Sequence, residues 1–289
     1  MKRQGERRIV ITGVGPVTPA GCGREEFWRN IRVGLSATRR IDELPTGFPV
    51  SSLRSQIAAW VIDPLSEVED NVLRRDRRLW LGDLALRLAV DDSGLDDRDL
   101  SGAAVVVGNA VGAARDVEGT FCAMENGGVD PARVRPHDLL QQLSFHSFAH
   151  GIASRYRCRG PVLTISTGCT AGLDAVGTAY DLLRAGCAEV AIAGSSEAPL
   201  APVVFAAFDL IGALSRRNDD PERASRPFDR DRDGFVLAEG AAVLVLEERE
   251  RALARGAHIY AELSGFASVS NRYHMTNLPS DGRLLGESI

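Results

Sequence analysis

Short, uninterrupted runs of apolar residues alternate along this chain with longer segments in which apolar residues recur every three or four positions. An uninterrupted run is typical of a strand that is covered on both faces, so the pattern predicts an α/β fold with a mostly parallel sheet between helical layers. The predicted strands cover residues 8–15, 103–108, 162–169, 189–197, 241–248 and a long final stretch, 258–271.

The segments between these runs have helical spacing. The first of them carries acidic residues in its opening turn, and the second ends at Ser93-Gly94, as expected for a helix that stops at a left-handed glycine. The predicted helices cover residues 23–34, 72–92, 139–156, 170–186 and the segment from 249 to about 256.

One junction between a strand and a helix carries a candidate nucleophile. The run VLTIS leads through Thr167, Gly168 and Cys169 into the helical segment 170–186. Cys169 therefore lies at the start of a helix, where unpaired N–H groups and the helix dipole favour an anion by about 0.3–1 kcal/mol. The thiolate is the nucleophilic form of cysteine, so this position fits covalent catalysis.

The competing interpretation of a free cysteine is a small, inert core residue. Position alone leaves that interpretation open for Cys169. We adopt it for the other four cysteines, Cys22, Cys122, Cys158 and Cys187. An odd number of cysteines without CxxC spacing, together with a charged start and no apolar signal segment, predicts a reduced, cytoplasmic protein without a zinc site. His146 and His150 are four residues apart, but without a third ligand we interpret them as ordinary histidines and expect no metal.

Charge and hydropathy argue against two kinds of partner. The chain has 34 basic and 39 acidic residues and a net charge of −5, whereas nucleic-acid binding needs a clustered basic face. No apolar stretch is long enough to span a membrane. Lys2 is the only lysine, and pairs of arginines stand near acidic residues. We interpret these pairs as solvated surface; a docking site for an acidic protein is the alternative.

Four separated blocks of this sequence resemble the β-ketoacyl synthase family in their order and spacing. The most specific is TISTGCTAGLDAVG, which is similar to the active-site cysteine motif of that family and most like the ketosynthase-α subunit of bacterial type II polyketide synthases. The other three blocks are IVITGVGPVTPAG near the start, the segment from Ser215 to Glu248, and RGAHIYAELSGFASVSNRYHMT.

The resemblance implies a thiolase-like fold with layered αβαβα architecture, working as a dimer. We expect residues 1–256 to form the N-terminal half with the nucleophilic cysteine, and residues 257–289 to begin a truncated C-terminal half. The implied reaction is acyl transfer from acyl carrier protein to Cys169, followed by decarboxylative Claisen condensation with malonyl carrier protein. No cofactor is expected, because phosphopantetheine on the carrier holds the substrates. The implied partner subunit is a second copy or a chain-length-factor-like chain.

The family motif also assigns roles to other residues of this sequence. Cys169 is the implied nucleophile, and its own N–H is the implied oxyanion donor. Phe208 corresponds to an acyl-pocket aromatic residue and Val111 to a residue that governs chain length, although both also fit a plain core. The block from Asp229 to Glu239 is expected to be structural, and an approach of Phe235 to the active site is the alternative. The remaining substrate-binding assignments are Leu139, on the partner's pocket, and Asn271, Tyr273, His274 and Thr276, with Met275, on a loop at the pocket entrance.

The family's reaction also needs two histidines, a lysine and a glycine-rich loop that belong to the C-terminal half. No HGT triplet occurs in these 289 residues. We therefore expect the chain to be incomplete for condensation and expect a separate chain to be one source of the missing half. Two alternatives stay open at this stage: a fatty-acid-elongating synthase, and a non-condensing half-enzyme or interaction subunit.

Overall fold

The structure is a computed structural model that describes residues 7–43, 52–62, 76–128, 140, 143–270, 272–274 and 278–289. The strands are β1 (Ile9–Thr18), β2 (Gly21–Cys22), β3 (Arg39–Arg40), β4 (Ile57–Ala58), β5 (Ala104–Gly108), β6 (Val162–Ile165), β7 (Val190–Glu197), β8 (Gly240–Glu248) and β9 (Ala261–Leu263). The helices are α1 (Arg24–Arg32), α2 (Arg77–Ser93), α3 (Asp97–Leu100), α4 (Ala114–Glu125), α5 (Ser147–Arg155), α6 (Ala171–Arg184), α7 (Pro202–Leu210), α8 (Arg249–Ala254) and α9 (Arg283–Ser288).

The central sheet has mixed strand directions, so the prediction of a mostly parallel sheet is wrong. Its order is β2-β1-β8-β7-β5-β6, with β9 also paired to β1. Only the β5–β6 and β5–β7 pairs are parallel, whereas β8 runs antiparallel to both β1 and β7. An uninterrupted apolar run reports that both faces of a strand are covered, and this property does not depend on the direction of its neighbours.

The two faces of the sheet are covered by different helices, which gives three layers. Val105 and Val107 of β5 pack in one apolar cluster with α2, whereas Ala104 and Val106 pack in a second cluster with α6. This alternation follows from the two-residue period of a strand. The prediction of a sheet buried between helical layers is therefore confirmed.

Glycines let α2 approach β1 closely. A side chain at Gly15 would overlap the backbone of α2, and so would one at Gly13. Helix α2 begins after Asp76, whose carboxylate accepts the N–H of Leu79 (3.0 Å), and ends at Gly94 with a φ of 67°. Residues 72–75, where the sequence predicted the start of this helix, lie outside the described residues.

The last predicted strand is much shorter than expected. Only Ala261–Leu263 pairs, antiparallel to the start of β1. The following residues run back over α6: the Ser264 carbonyl accepts from the Tyr180 hydroxyl (3.3 Å), and the Phe266 ring lies where a side chain at Gly177 would be. This segment is therefore held by a helix and not by a strand, although its sequence is rich in strand-forming residues.

Of the helix predicted over 139–156, Ser147–Arg155 is observed as a helix, and Leu140 and Leu143 are also helical. Residues 139, 141 and 142 lie outside the described part of the chain. Among the described residues, no helix has both the length and the apolar character that crossing a membrane requires.

Candidate active site

The carboxyl ends of three strands meet at one edge of the sheet. Gly108 at the end of β5 is paired with Ile165 at the end of β6 on one side and with Ser195 of β7 on the other. The loops that follow these strands carry Val111, Cys169 and the helix with Phe208. In open α/β sheets this edge is where ligands bind, so the topology brings three predicted site residues to one place.

Cys169 lies in a single 3₁₀ turn, Gly168–Thr170, that leads directly into α6. Its side chain is exposed to solvent. Gly168 has a φ of 74°, a left-handed conformation that glycine adopts without strain. The predicted placement of Cys169 at a helix start is confirmed, and its thiol is accessible to a substrate.

The first turn of α6 is wedged against the sheet through small residues. A Cβ on Gly108 would lie 2.6 Å from the Gly172 nitrogen and would overlap the Ala171 carbonyl. On the other side, a Cβ on Gly172 would lie 3.1 Å from the Ser195 side chain. Because packed groups lie on both sides of it, the start of α6 is held rigidly directly after the Cys169 turn.

A carboxylate lies behind the cysteine turn and holds its two flanking threonines. The Thr170 hydroxyl donates to Asp174 Oδ2 (2.8 Å), and the Thr167 hydroxyl donates to the same oxygen. Asp174 is buried, and the hydrogen bond from Thr167 is the main cause that lowers its pKa, followed by those from Thr170 and Ser268. Our sequence reasoning missed this residue; the spacing of two threonines and an aspartate around the cysteine was the available signal.

The turn after β5 is also held by a carboxylate. Glu197, at the end of β7, accepts the N–H groups of Ala110 and Val111 (3.3 Å for Val111). Burial raises the pKa of Glu197, partly offset by these two N–H donors. The turn is thereby fixed next to the cysteine loop, because the Asn109 N–H also donates to the Ile165 carbonyl (2.9 Å). Val111 itself is half-buried.

Two aromatic rings meet beyond the end of β7. Phe208 on α7 and Phe235 stand edge to face with their ring centroids 5.5 Å apart. Phe208 is half-buried against a cluster that includes Phe205 and Leu214, whereas Phe235 is 44% exposed. The pair therefore forms an apolar wall with one open side, and the predicted contact of Phe208 with an acyl chain stays a prediction.

The predicted entrance loop is only partly described. Tyr273 and His274 are exposed, and the segment before them advances along α6 toward the Cys169 end of that helix. Their predicted role stays a prediction. Leu139, Asn271, Met275 and Thr276 lie outside the described residues.

Two of the other cysteines differ from the expectation. Cys122 on α4 and Cys187 after α6 are exposed, so they are not core residues; Cys22 and Cys158 are half-buried. Within the described ranges, no group of three or more His, Cys, Asp or Glu residues is placed to hold a metal ion.

Comparison with known proteins identifies the class. The family model described as "Beta-ketoacyl synthase, N-terminal domain" matches residues 6–252. The chain therefore belongs to the β-ketoacyl synthase family, and its fold is the thiolase-like fold that the sequence predicted.

Within this family the similar proteins include polyketide ketosynthases at 42–45% identity, which confirms the predicted resemblance to ketosynthase-α subunits. The tetracenomycin polyketide synthase ketoacyl synthase alpha subunit of Streptomyces glaucescens is 42% identical over all of this chain and 69% of its own length. A solved complex of a type II PKS acyl-carrier protein with its ketosynthase bound to the hexaketide has a TM-score of 0.82 and 38% identity, covering 98% of this chain and 68% of that one. The ishigamide ketosynthase/chain length factor has a TM-score of 0.79 and 33% identity, covering 91% and 63%.

The chain thus spans about two thirds of the length of the proteins that it matches.

Proposed function

We propose that this chain carries the acyl-accepting centre of a polyketide-type β-ketoacyl synthase. The Cys169 thiolate attacks the thioester carbonyl of an acyl carrier protein, and a carbon–sulfur bond forms while the carbonyl becomes an oxyanion. Collapse of that intermediate breaks the bond to the phosphopantetheine sulfur, which leaves and takes up a proton. The single observation that supports this proposal is an exposed thiol at a helix start that is wedged against the sheet.

The oxyanion of this step needs a preorganised donor, and the Cys169 N–H is the proposed one. The acyl chain is proposed to lie toward Val111, Phe208 and Phe235 at the carboxyl edge of the sheet. Tyr273 and His274, with Asn271, Met275 and Thr276, are proposed to line the entrance, and Leu139 to line the partner's pocket.

We propose that condensation requires groups beyond these 289 residues. Loss of carbon dioxide from malonyl carrier protein leaves an enolate that must be stabilised by hydrogen-bond donors, and the sequence contains no HGT triplet. Losing one oxyanion donor typically costs about 10²–10³ in rate. The proposed division is an N-terminal half over 1–256 and the start of a C-terminal half over 257–289, and a separate chain is one proposed source of the remainder.

The proposed partners are an acyl carrier protein and a second ketosynthase-type subunit, identical to this chain or like a chain-length factor. Strand β6 is the last strand of the sheet among the described residues, and its Val162 and Leu163 are about 40% exposed. An exposed edge strand of this kind is a template for pairing with another chain. The reaction needs no cofactor beyond the phosphopantetheine of the carrier. Because none of the five cysteines forms a disulfide in the described structure, a cytoplasmic site of action is proposed.

The test is an acylation assay followed by intact mass. The protein is incubated with carrier protein bearing a labelled acyl chain. We expect one acyl adduct that is lost in Cys169→Ala and retained in the matched control Cys187→Ala, which removes an exposed thiol beyond the other end of α6. An adduct that persists in Cys169→Ala would refute the site.

A second arm of the experiment adds malonyl carrier protein and distinguishes condensation from acyl transfer alone. We expect no condensed product from this chain alone and a product when the C-terminal third of a relative is supplied. A condensed product made by the chain alone would refute the proposed incompleteness, while acylation without any partner-dependent product would favour the non-condensing alternative.

A further inference from the structure

The turn that carries Cys169 is fixed less by packing than by hydrogen bonds. Residues 166–170 are exposed, and a side chain at Gly168 would meet no atom of the described structure within 4 Å. The wedge against Gly108 begins one turn later, at Ala171 and Gly172. The support of the 3₁₀ turn itself must therefore come from another group.

Asp174 supplies that support through a single oxygen. The residues on either side of the nucleophile, Thr167 and Thr170, both donate their hydroxyls to Oδ2, and the two hydroxyl oxygens are 3.5 Å apart. Hydrogen bonds to a charged acceptor are roughly twice as strong as neutral ones. Because one donor precedes Cys169 and the other follows it, the carboxylate fixes both ends of the two-residue arc that holds the Cys169 N–H and sulfur.

The same carboxylate also reaches the segment after β9. The Ser268 side chain lies close enough to help lower the pKa of Asp174, one step beyond the contacts of Ser264 with Tyr180 and of Phe266 with Gly177. These contacts occur at intervals of two residues on the segment and three on the helix. The path thereby leads along α6 from Tyr180 to Asp174, toward the Cys169 end of the helix. The hydrogen bonds hold the pKa of Asp174 below its usual range, so it carries its charge at neutral pH.

We propose that Asp174 is a positioning residue that holds the Cys169 turn in its acyl-accepting geometry through the hydroxyls of Thr167 and Thr170. The proposal rests on the proposed function, because it concerns acyl transfer to Cys169. In this proposal Asp174 acts through the two threonines and not directly on the sulfur or the substrate. A misplacement of about 1 Å in a reacting group costs up to about 10²-fold in rate, so loss of this tie has a measurable effect.

The experiment measures single-turnover acylation of the full 289-residue chain as the concentration of acyl carrier protein is varied. We expect Asp174→Ala to lower the limiting rate at least tenfold while the carrier concentration for half-maximal rate changes less than twofold. Asp174→Asn keeps an oxygen that accepts both hydroxyls, and we expect it to restore the rate to within about threefold of the parent.

Two further variants separate positioning from general stability. Asp96→Ala removes a carboxylate that also accepts two hydrogen bonds at a helix start, but before β5, at the opposite edge of the sheet. We expect it to leave the acylation rate unchanged. The double variant Thr167→Val with Thr170→Val keeps the carboxylate, and we expect the loss seen in Asp174→Ala, with no further loss when the three changes are combined.

Each outcome has a separate meaning. If the parent chain is not acylated at Cys169, the proposed function fails. If the parent is acylated and both Asp174→Ala and the double threonine variant match its limiting rate, only the positioning role fails. An Asn variant as slow as the Ala variant overturns the hydrogen-bond argument. If Asp174→Ala does not fold, the double threonine variant decides the question.

Discussion

Substituting Gly108 by alanine tests whether the packing of α6 against the sheet positions the nucleophile. Gly108 is the last residue of β5, and its Cα faces the first turn of α6 directly. The added methyl group would lie 2.6 Å from the Gly172 nitrogen, whereas an ordinary contact needs about 3.5 Å or more. The start of the helix must therefore move away by about 1 Å, because its neighbour on that side is backbone and has no rotamer to change.

This displacement has two consequences of known size. Overpacking of a core contact costs about 1–3 kcal/mol in the free energy of unfolding. A shift of about 1 Å in the reacting group lowers the rate by up to about 10²-fold. We therefore expect Gly108→Ala to remain folded, to lose about 1–3 kcal/mol in stability, and to accept acyl groups at Cys169 between ten- and one-hundredfold more slowly than the parent.

Urea denaturation gives the stability and single-turnover acylation gives the rate. Gly119→Ala is the matched control, since Gly119 is on the exposed face of α4 and a side chain there meets open space within the described structure. We expect this control to gain about 0.5–1 kcal/mol, as for any Gly to Ala change in an exposed helix, without change in rate. If Gly108→Ala is destabilised but acylates at the parent rate, the wedge does not position the cysteine.

Three other substitutions probe groups away from the nucleophile. Glu247 is fully buried. Burial raises its pKa, but hydrogen bonds from Arg255 and Thr12 outweigh this effect and lower the pKa below the usual value. The ionised carboxylate therefore stabilises the folded state above about pH 4.5, and this contribution is lost on acidification. We expect Glu247→Gln to cost about 2 kcal/mol at pH 7, with the difference shrinking toward pH 3 in urea titrations, and a constant difference would contradict this. Burial and nearby Asp76 raise the pKa of Asp116 to about 6, so the folded state loses stability as the pH rises from about 4 to 6. We therefore expect Asp116→Asn to increase the free energy of unfolding by about 1–3 kcal/mol at pH 8 and to leave it unchanged below about pH 4. The side chain of Gly177→Ala would overlap the Phe266 ring. We therefore expect amide exchange to become faster over residues 264–270 and to stay unchanged in β1.

Much of the architecture follows from local sequence. The apolar runs at Ala104–Gly108 and Val190–Glu197 are observed as strands, and the covering of both their faces was predicted correctly. The junction at Cys169 was also predictable, because a strand pattern changes to a helical one within three residues. The hydrogen bonds of Asp174 with Thr167 and Thr170 were not predicted, because in the sequence Asp174 resembles any acidic residue in the first turn of a helix.

Where sequence reasoning erred, long-range partners decided the outcome. The antiparallel course of β8 depends on its pairing with β1, more than 200 residues earlier in the chain. The final predicted strand stops at Leu263 because Tyr180 and Gly177 of α6, and not another strand, receive the residues that follow. Local propensity describes what a segment favours, but its neighbours in space select among the possibilities.

The sequence by itself determined the alternation of strands and helices, the place of Cys169 at a helix start, and the family. The tertiary structure alone decided the direction of the strands, the close contact of Gly108 with α6, and the convergence of the Thr167 and Thr170 hydroxyls on one carboxylate oxygen. The physical reason is that periodicity and end effects act within a few residues, whereas close packing and shared hydrogen bonds join groups that only the folded chain brings together.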